Sequence, residues 1–386
     1  MGGRRIYTMA IVKRILLGLF TLVVAAFSLG ALGVLILSVS LTSGNPESAP
    51  GAKAVDVAIM DRYDMYMTNE VSNALDGVLA IEKVYWLSDD DQVAPEPDQS
   101  KFGETDDPAT MQWFLDAAQP LLDGQETMFH TDVQIGPKTK VLYYLDDTTM
   151  VITWKEVINN CMYTFSEVKI AHPSQFRRFL AGGSFSSPVQ LTTTEMAASV
   201  NAVVASSGDF YMFRRRGVIV YDGVVQRCDS AGVQTCYIDD QGDLIFSHQG
   251  ELPDVESAQA FVDENNIRFS LCFGPVLVEN GEPSHIGWYP LGEIRDEYSR
   301  AALGQKGKLH YLLVTANTEW PCSRTTDIFG FQEALLKFNC DKVYTLDGGQ
   351  TAVIAMNDQL INKVVFGFQR DISDIIYFAT AIPNRD

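Results

Sequence analysis

Leu142-Tyr143-Tyr144-Leu145, Met150-Val151-Ile152-Thr153-Trp154 and Met162-Tyr163-Thr164-Phe165 are the runs from which the fold class follows. Each is short and rich in β-branched or aromatic residues, and Asp146-Asp147 and Asn159-Asn160 separate them. Runs of this kind between turn residues predict neighbouring strands. Further strand-like runs occur at 202–206, 218–225, 235–239, 243–247, 268–279, 309–316, 342–346, 352–356 and 374–380, with hairpin signals at Asp222-Gly223 and Asn280-Gly281. Helical patterns interrupt them at about 174–181, 192–199, 254–264 and 328–338. There is no regular βαβ alternation and no repeat of fixed period. The pattern predicts an α+β domain over 126–386, with a mixed or antiparallel β-sheet core and flanking helices.

Working outward from these strands, the N-terminal part reads differently. From Ile15 to Leu41 no residue is charged, and roughly 20 apolar residues cross a bilayer as a helix. Arg4, Arg5, Lys13 and Arg14 precede the run, and the first acidic residue is Glu47. Positive flanks stay in the cytoplasm. The expectation is a single-pass membrane protein: residues 1–42 form the cytoplasmic tip and transmembrane helix, and the rest is extracellular. The run is longer than the ~7–15 residues of a signal-peptide core, which favours an uncleaved anchor. Residues 43–54 read as a Pro/Gly/Ser linker. Residues 55–125 read as a helical, membrane-proximal segment. It has apolar positions at helical spacing over 55–83, an Asp-rich loop at 88–108 and a helix at about 109–119 behind Asp106-Asp107-Pro108.

The formal charge is −20 over 386 residues. Of the 29 basic residues, four precede the apolar run, which leaves 25 against 49 acidic ones beyond it. Such a surface repels nucleic acid and excludes polynucleotide binding through a basic patch. Six cysteines (161, 228, 236, 272, 322 and 340) fall beyond the run, where disulfides can form. Cys228 and Cys236 are the most plausible local pair, with buried thiols as the alternative. No Cys-x-x-Cys motif is present. Asp89-Asp90-Asp91 and Asp106-Asp107 lack the ligand spacing and glycine turn of a calcium loop. No cofactor is therefore expected, and a divalent cation has no motif behind it.

Two stretches carry the candidate chemistry. Val343-Tyr344-Thr345-Leu346 runs into Asp347-Gly348-Gly349-Gln350-Thr351. A carboxylate at the end of a buried strand, followed by glycines, can present a side chain and backbone N–H groups to one small volume. Asp-Gly is also a common turn dipeptide. The second stretch repeats the logic: a short helix carrying Glu195 feeds a strand that ends in Ser206-Ser207-Gly208-Asp209. Arg214, Arg215 and Arg216 follow. Three arginines in so acidic a chain read either as alternating exposure on a strand or as a pocket for phosphate or carboxylate, since guanidinium binds both bidentately. Arg300, ahead of the run at 309–316, is a further candidate. His172, Arg177 and Arg178 form another possible cluster, with no catalytic role assigned to the histidine.

The order of these pieces resembles the phosphodiester glycosidase family, of a bacterial, membrane-anchored type. The matching residues are Thr194-Glu195-Met196-Ala197, Ser207-Gly208-Asp209-Phe210-Tyr211, Gly217-Val218-Ile219-Val220-Tyr221-Asp222-Gly223, Phe273-Gly274-Pro275-Val276-Leu277, Ser299-Arg300-Ala301-Ala302-Leu303-Gly304, Leu346-Asp347-Gly348-Gly349 and Ile372-Ser373-Asp374-Ile375-Ile376-Tyr377. The resemblance covers about 160–380. Departures lie at Ser207, where the family has Asn, at Gln350-Thr351, where it has Gly-Ser, and at Thr315-Ala316-Asn317. The resemblance implies a hydrolase that cleaves a sugar-1-phosphodiester or related glycosidic bond in cell-envelope or exopolysaccharide glycans. A non-catalytic glycan-binding or polysaccharide-assembly module is the alternative. It implies Asp347, Asp209 and Glu195 as catalytic carboxylates. Arg300, Arg214, Arg216, Gly348, Gly349, Thr351, Ser207 and Gly208 would form the substrate and phosphate site. The expected partners are a glycan or sugar-phosphate substrate and the membrane, with the oligomeric state open. The geometric expectation is that Asp347 and Asp209 end neighbouring strands and face one pocket, with Arg300 on its wall.

Overall fold

The computed structural model describes residues 87, 93–130, 140–287, 289 and 295–383. The apolar run 15–41, the linker 43–54 and the helical pattern at 55–83 lie outside the described residues. Among the described residues, no helix is long and apolar enough to cross a membrane.

The described residues run first through β1 (Phe102–Thr105), α1 (Pro108–Leu122), β2 (Val141–Leu145), β3 (Thr149–Ile158), β4 (Cys161–Ile170) and β5 (Phe176–Leu180). Then come α2 (Thr193–Ser199), β6 (Val204–Ser207), β7 (Gly217–Tyr221), β8 (Val224–Asp229), β9 (Thr235–Asp239), β10 (Leu244–Ser247), α3 (Val255–Glu264), β11 (Ile267–Leu271), β12 (Val276–Glu279) and β13 (Glu282–Pro283). The chain closes with β14 (Arg300–Gly307), β15 (His310–Asn317), α4 (Ile328–Leu336), β16 (Lys342–Leu346), β17 (Ile354–Met356), β18 (Gln359–Leu360) and β19 (Asp374–Phe378).

Among the described residues the strands form three sheets, ordered β1-β2-β3-β4-β15-β14-β16-β12-β13, β10-β9-β11-β7-β8 and β18-β17-β6-β19-β5. Every strand pairing among the described residues is antiparallel, which resolves the mixed-or-antiparallel expectation. All ten residues of β4 are buried, because it sits mid-sheet with both faces covered. One face meets the other two sheets in a shared core that includes Val151, Val168, Leu303, Leu313, Tyr344, Ile238, Leu271, Ile354 and Ile376. The opposite face carries Ile152, Trp154 and Phe165 and is covered by Phe114 and Leu122 of α1 and Phe331 and Leu335 of α4. Successive side chains alternate between these two cores, as a pleated strand requires.

Four sequence expectations change. Residues 102–122 are not part of a separate segment. β1 pairs with β2, and α1, capped by the Asp107 side chain on the N–H groups of Ala109 and Thr110, packs its apolar stripe on the large sheet. The helical pattern at 174–181 is strand β5, because pairing with β19 in the register Phe176↔Phe378 to Leu180↔Asp374 supplies its backbone partners. β14 was not expected as a strand. Its Ala301-Ala302-Leu303-Gly304 core has weak strand propensity, but it lies between β15 and β16 and is hydrogen-bonded on both edges. Cys228 and Cys236 do not pair: all six cysteines are free. The two belong to different hairpins, on β8 and β9, with β7 and β11 between them.

Candidate active site

β16 delivers Asp347 to the wall of a cavity of about 620 Å³. Pairing of β16 with β14 sets Leu346 against Ala301 and so brings Arg300, Ser299 and Asp347 to the same end of the sheet. The turn after Asp347 needs glycine at both positions. A Cβ on Gly348 would stand 2.4 Å from the backbone oxygen of Ser299, and Gly349 has φ +68°. The Gly349 N–H donates to the Ser299 carbonyl at 2.8 Å, and the Thr351 hydroxyl donates to the Gly348 carbonyl at 2.7 Å.

Asp347 is 6% exposed. Its Oδ1 accepts from the Gly348 N–H at 2.9 Å, and its Oδ2 meets Arg370 Nη2 at 2.5 Å. Burial pushes its carboxyl up to about 6, and the Arg370 guanidinium is the largest influence holding it down. Arg370 in turn lies over the rings of Phe210 and Phe213, at 5.3 and 5.5 Å. Arg214 lies 4.6 Å over the Phe273 ring and donates to the Phe273 carbonyl at 2.6 Å. Arg300 is buried and donates to the Asp296 carbonyl at 2.7 Å. All three arginines line the cavity, as do Phe210, Phe273, Tyr298 and Phe366. Glu297 lines it too, ion-paired to Arg324.

Three polar atoms of lining residues, Ser299 Oγ, Gln350 Nε2 and Arg370 Nε, are buried with no hydrogen-bond partner. These atoms are available to a water or a polar ligand in the cavity. Among the described residues, no group of three or more His, Cys, Asp or Glu side chains is placed to hold a metal ion.

Residues 199–379 match the phosphodiester glycosidase family, a stretch that holds Asp209, Arg214, Arg300, Asp347 and Arg370 together. These residues belong to that family. Among solved structures, the catalytic domain of zebrafish N-acetylglucosamine-1-phosphodiester alpha-N-acetylglucosaminidase, auto-inhibited by its pro-peptide, is similar at 16% identity. That match covers 60% of this chain and 83% of the zebrafish chain, with a TM-score of 0.46. A hypothetical protein from Synechocystis is similar at 13% identity over 64% of each chain, with a TM-score of 0.44. No curated protein sequence matches the chain.

Within the phosphodiester glycosidase domain, the residues singled out from sequence divide into two groups. Asp347, Gly348, Gly349, Arg300 and Arg214 line the cavity. Thr351 and Ser207 support it from behind, Ser207 by donating its hydroxyl to the Asp347 carbonyl at 3.4 Å. That contact joins the ends of β16 and β6, which lie in different sheets rather than as paired neighbours. Asp209 does not line the cavity. Its Oδ1 accepts from the Phe210 N–H and its Oδ2 from the Cys272 N–H, both at 2.7 Å. Its own N–H donates to Asp374 Oδ1 at 3.1 Å, and Asp374 Oδ2 accepts from Arg178 Nε at 2.8 Å. Asp209, Arg178 and Asp374 thus form a buried charged cluster behind the wall, and burial raises the Asp374 carboxyl despite Arg178. Gly208 is held tight there, since a Cβ would stand 2.2 Å from Asp374 Oδ2.

Arg216 is exposed and outside the cavity, its carbonyl accepting from Arg227 at 3.0 Å. Glu195, ahead of the matched stretch, is also outside the cavity. It closes a capping box at the N-terminus of α2, accepting from the Thr192 N–H at 2.9 Å while its own N–H is capped by the Thr192 hydroxyl. The Thr192-x-x-Glu195 spacing is itself the sequence signature of that box. Arg370, Ser299, Gln350, Glu297, Phe210 and Phe273 were not anticipated as cavity residues. Arg370 sits in an ordinary Gln-Arg-Asp context, and no local pattern marks it.

Proposed function

We propose that this chain hydrolyses a sugar-1-phosphodiester, with Asp347 as the carboxylate that acts at the anomeric carbon or on its attacking water. The observation that carries this reading is Asp347 itself: a recessed carboxylate, ion-paired to Arg370, in a cavity that Arg300 and Arg214 also line. A phosphodiester leaving group departs as a stable anion and needs little protonation. Its charge must be held, and guanidinium groups suit that task. Asp209 serves as a positioning residue, fixing the Phe210 and Cys272 backbone behind the wall. Family membership supports a glycosidase-type reaction over the binding-module alternative. The apolar run 15–41 supports placement of this chemistry at a cell membrane with the domain on the outer side, acting on envelope or exopolysaccharide glycan.

The test is incubation of the full chain, in detergent, with a panel of sugar-1-(methyl phosphate) diesters and measurement of released sugar. Release by the wild type and its loss in Asp347→Asn is the expected result. No release from any sugar in the panel, or equal release by the variant, would overturn the proposal.

A further inference from the structure

Phe366 occupies an unusual position. It lines the cavity that holds Asp347, yet it is 82% exposed, and its φ of +61° lies in the left-handed region that a bulky side chain seldom adopts. Nothing in the packing of the fold requires a phenyl ring there. Strained residues of this kind gather at ligand contacts, where a bound molecule covers them. Phe366 is not isolated. Val365, Phe210, Phe273 and Tyr298 line the same cavity, and Phe213, itself 53% exposed, stacks on Phe210 at 5.0 Å. Charge sits among these rings in the guanidinium groups of Arg214, Arg300 and Arg370. The cavity therefore offers guanidinium groups for a phosphate and, beside them, an apolar wall that Phe366 leaves open to solvent.

We propose that the group attached to the phosphate is apolar, an alkyl or isoprenoid chain lying against Phe366 and Val365 rather than a second sugar. A sugar aglycone can stack only a C–H face on one ring and must keep its hydroxyl-bearing edges solvated. A hydrocarbon chain removes both its own surface and the exposed rings from water. Each methylene so buried strengthens binding roughly fourfold. This proposal rests on the phosphodiester reading above and adds the chemical class of the leaving group.

The experiment compares three diesters of one sugar-1-phosphate, carrying methyl, octyl and glucosyl aglycones, on full-length wild type and Phe366→Asn. Asparagine adopts positive φ readily, so the backbone turn is retained. The expected result is a kcat/KM at least about tenfold higher for octyl than for methyl or glucosyl, with the octyl-to-methyl ratio falling towards one in Phe366→Asn. A glucosyl diester turned over as well as octyl, or no dependence on chain length, overturns the proposal. If the wild type cleaves none of the three with any sugar of the panel above, the phosphodiester reading has failed, and calorimetric binding of octyl phosphate against methyl phosphate then decides the subsite. Tighter binding of octyl phosphate that disappears in Phe366→Asn retains the apolar wall as a binding site. Equal binding overturns it.

Discussion

Arg370 Nη2 stands 2.5 Å from Asp347 Oδ2, so the residue that follows β16 is held by one from the loop before β19, 23 positions later. The guanidinium is steadied on its other faces by Phe210 and Phe213. It is the strongest influence opposing the burial that raises the Asp347 carboxyl. The pair sets both the geometry and the ionisation of the candidate catalytic group.

Replacing Asp347 by Asn separates chemistry from folding. Loss of a carboxylate that acts in the transition state should lower kcat by roughly 10²–10⁴-fold. Stability should move the other way. The carboxyl titrates near 6 in the fold against 3.8 in the free residue, so the native state binds the proton more tightly. Its contribution is fully present below pH 3.8 and is lost as pH rises through 6, an amount of roughly 2–3 kcal/mol. Thermal melts from pH 4 to 8 should show the wild type losing stability across that window relative to Asp347→Asn.

Arg370→Gln removes the positive charge that holds the Asp347 carboxyl down. The carboxyl then titrates at higher pH, and the acid limb of the kcat/KM profile moves to higher pH with it. A pH–rate profile of the variant checks this. An unshifted acid limb would mean that Asp347 is not the group whose ionisation governs activity.

The buried cluster behind the wall should be costly to break. Arg178→Met leaves Asp209 and Asp374 without their counter-charge in the interior and should destabilise the domain by roughly 3–5 kcal/mol. Urea denaturation at neutral pH measures it. Part of the loss should return under mildly acidic conditions, where the raised Asp374 carboxyl protonates.

Gly348→Ala probes the turn. The new methyl would meet the Ser299 backbone oxygen at 2.4 Å, and no flexible side chain can yield there. A loss of about 1–3 kcal/mol is expected, with Asp347 displaced and activity reduced beyond what the stability change explains. Chemical denaturation and kcat on the folded variant read the two effects apart.

Glu195→Gln is the contrasting case. Its side chain caps α2 and faces solvent, so the variant should lose a little thermal stability and keep its activity. Inactivity of a folded Glu195→Gln protein would return this residue to the catalytic set.

Much of this protein is legible along the chain because much of it rests on local physics. Alternating β-branched and aromatic runs between Asp-Asp and Asn-Asn turns mark β2, β3 and β4, and their pleat alone sends Val151 and Ile152 to opposite cores. Asp107 before Pro108 marks the start of α1. Asp347-Gly348-Gly349 is visible as a carboxylate on a constrained turn, since the glycines are demanded by close backbone approach and positive φ.

What the tertiary structure decided is which of these pieces meet. Asp209 and Asp347 carry the same sequence signal, a carboxylate beside glycine at a strand end. Only the placement of β6 and β16 in different sheets turns one carboxylate into the cavity and the other into a buried charge cluster. Arg214 and Arg216 are two residues apart, yet one lines the cavity and the other faces solvent. Strand β14 exists because its neighbours hold both its edges, despite a sequence that argues against it. Arg370 carries no local mark because its function is a distance to Asp347, and a distance between residues 23 positions apart is set by packing rather than by propensity.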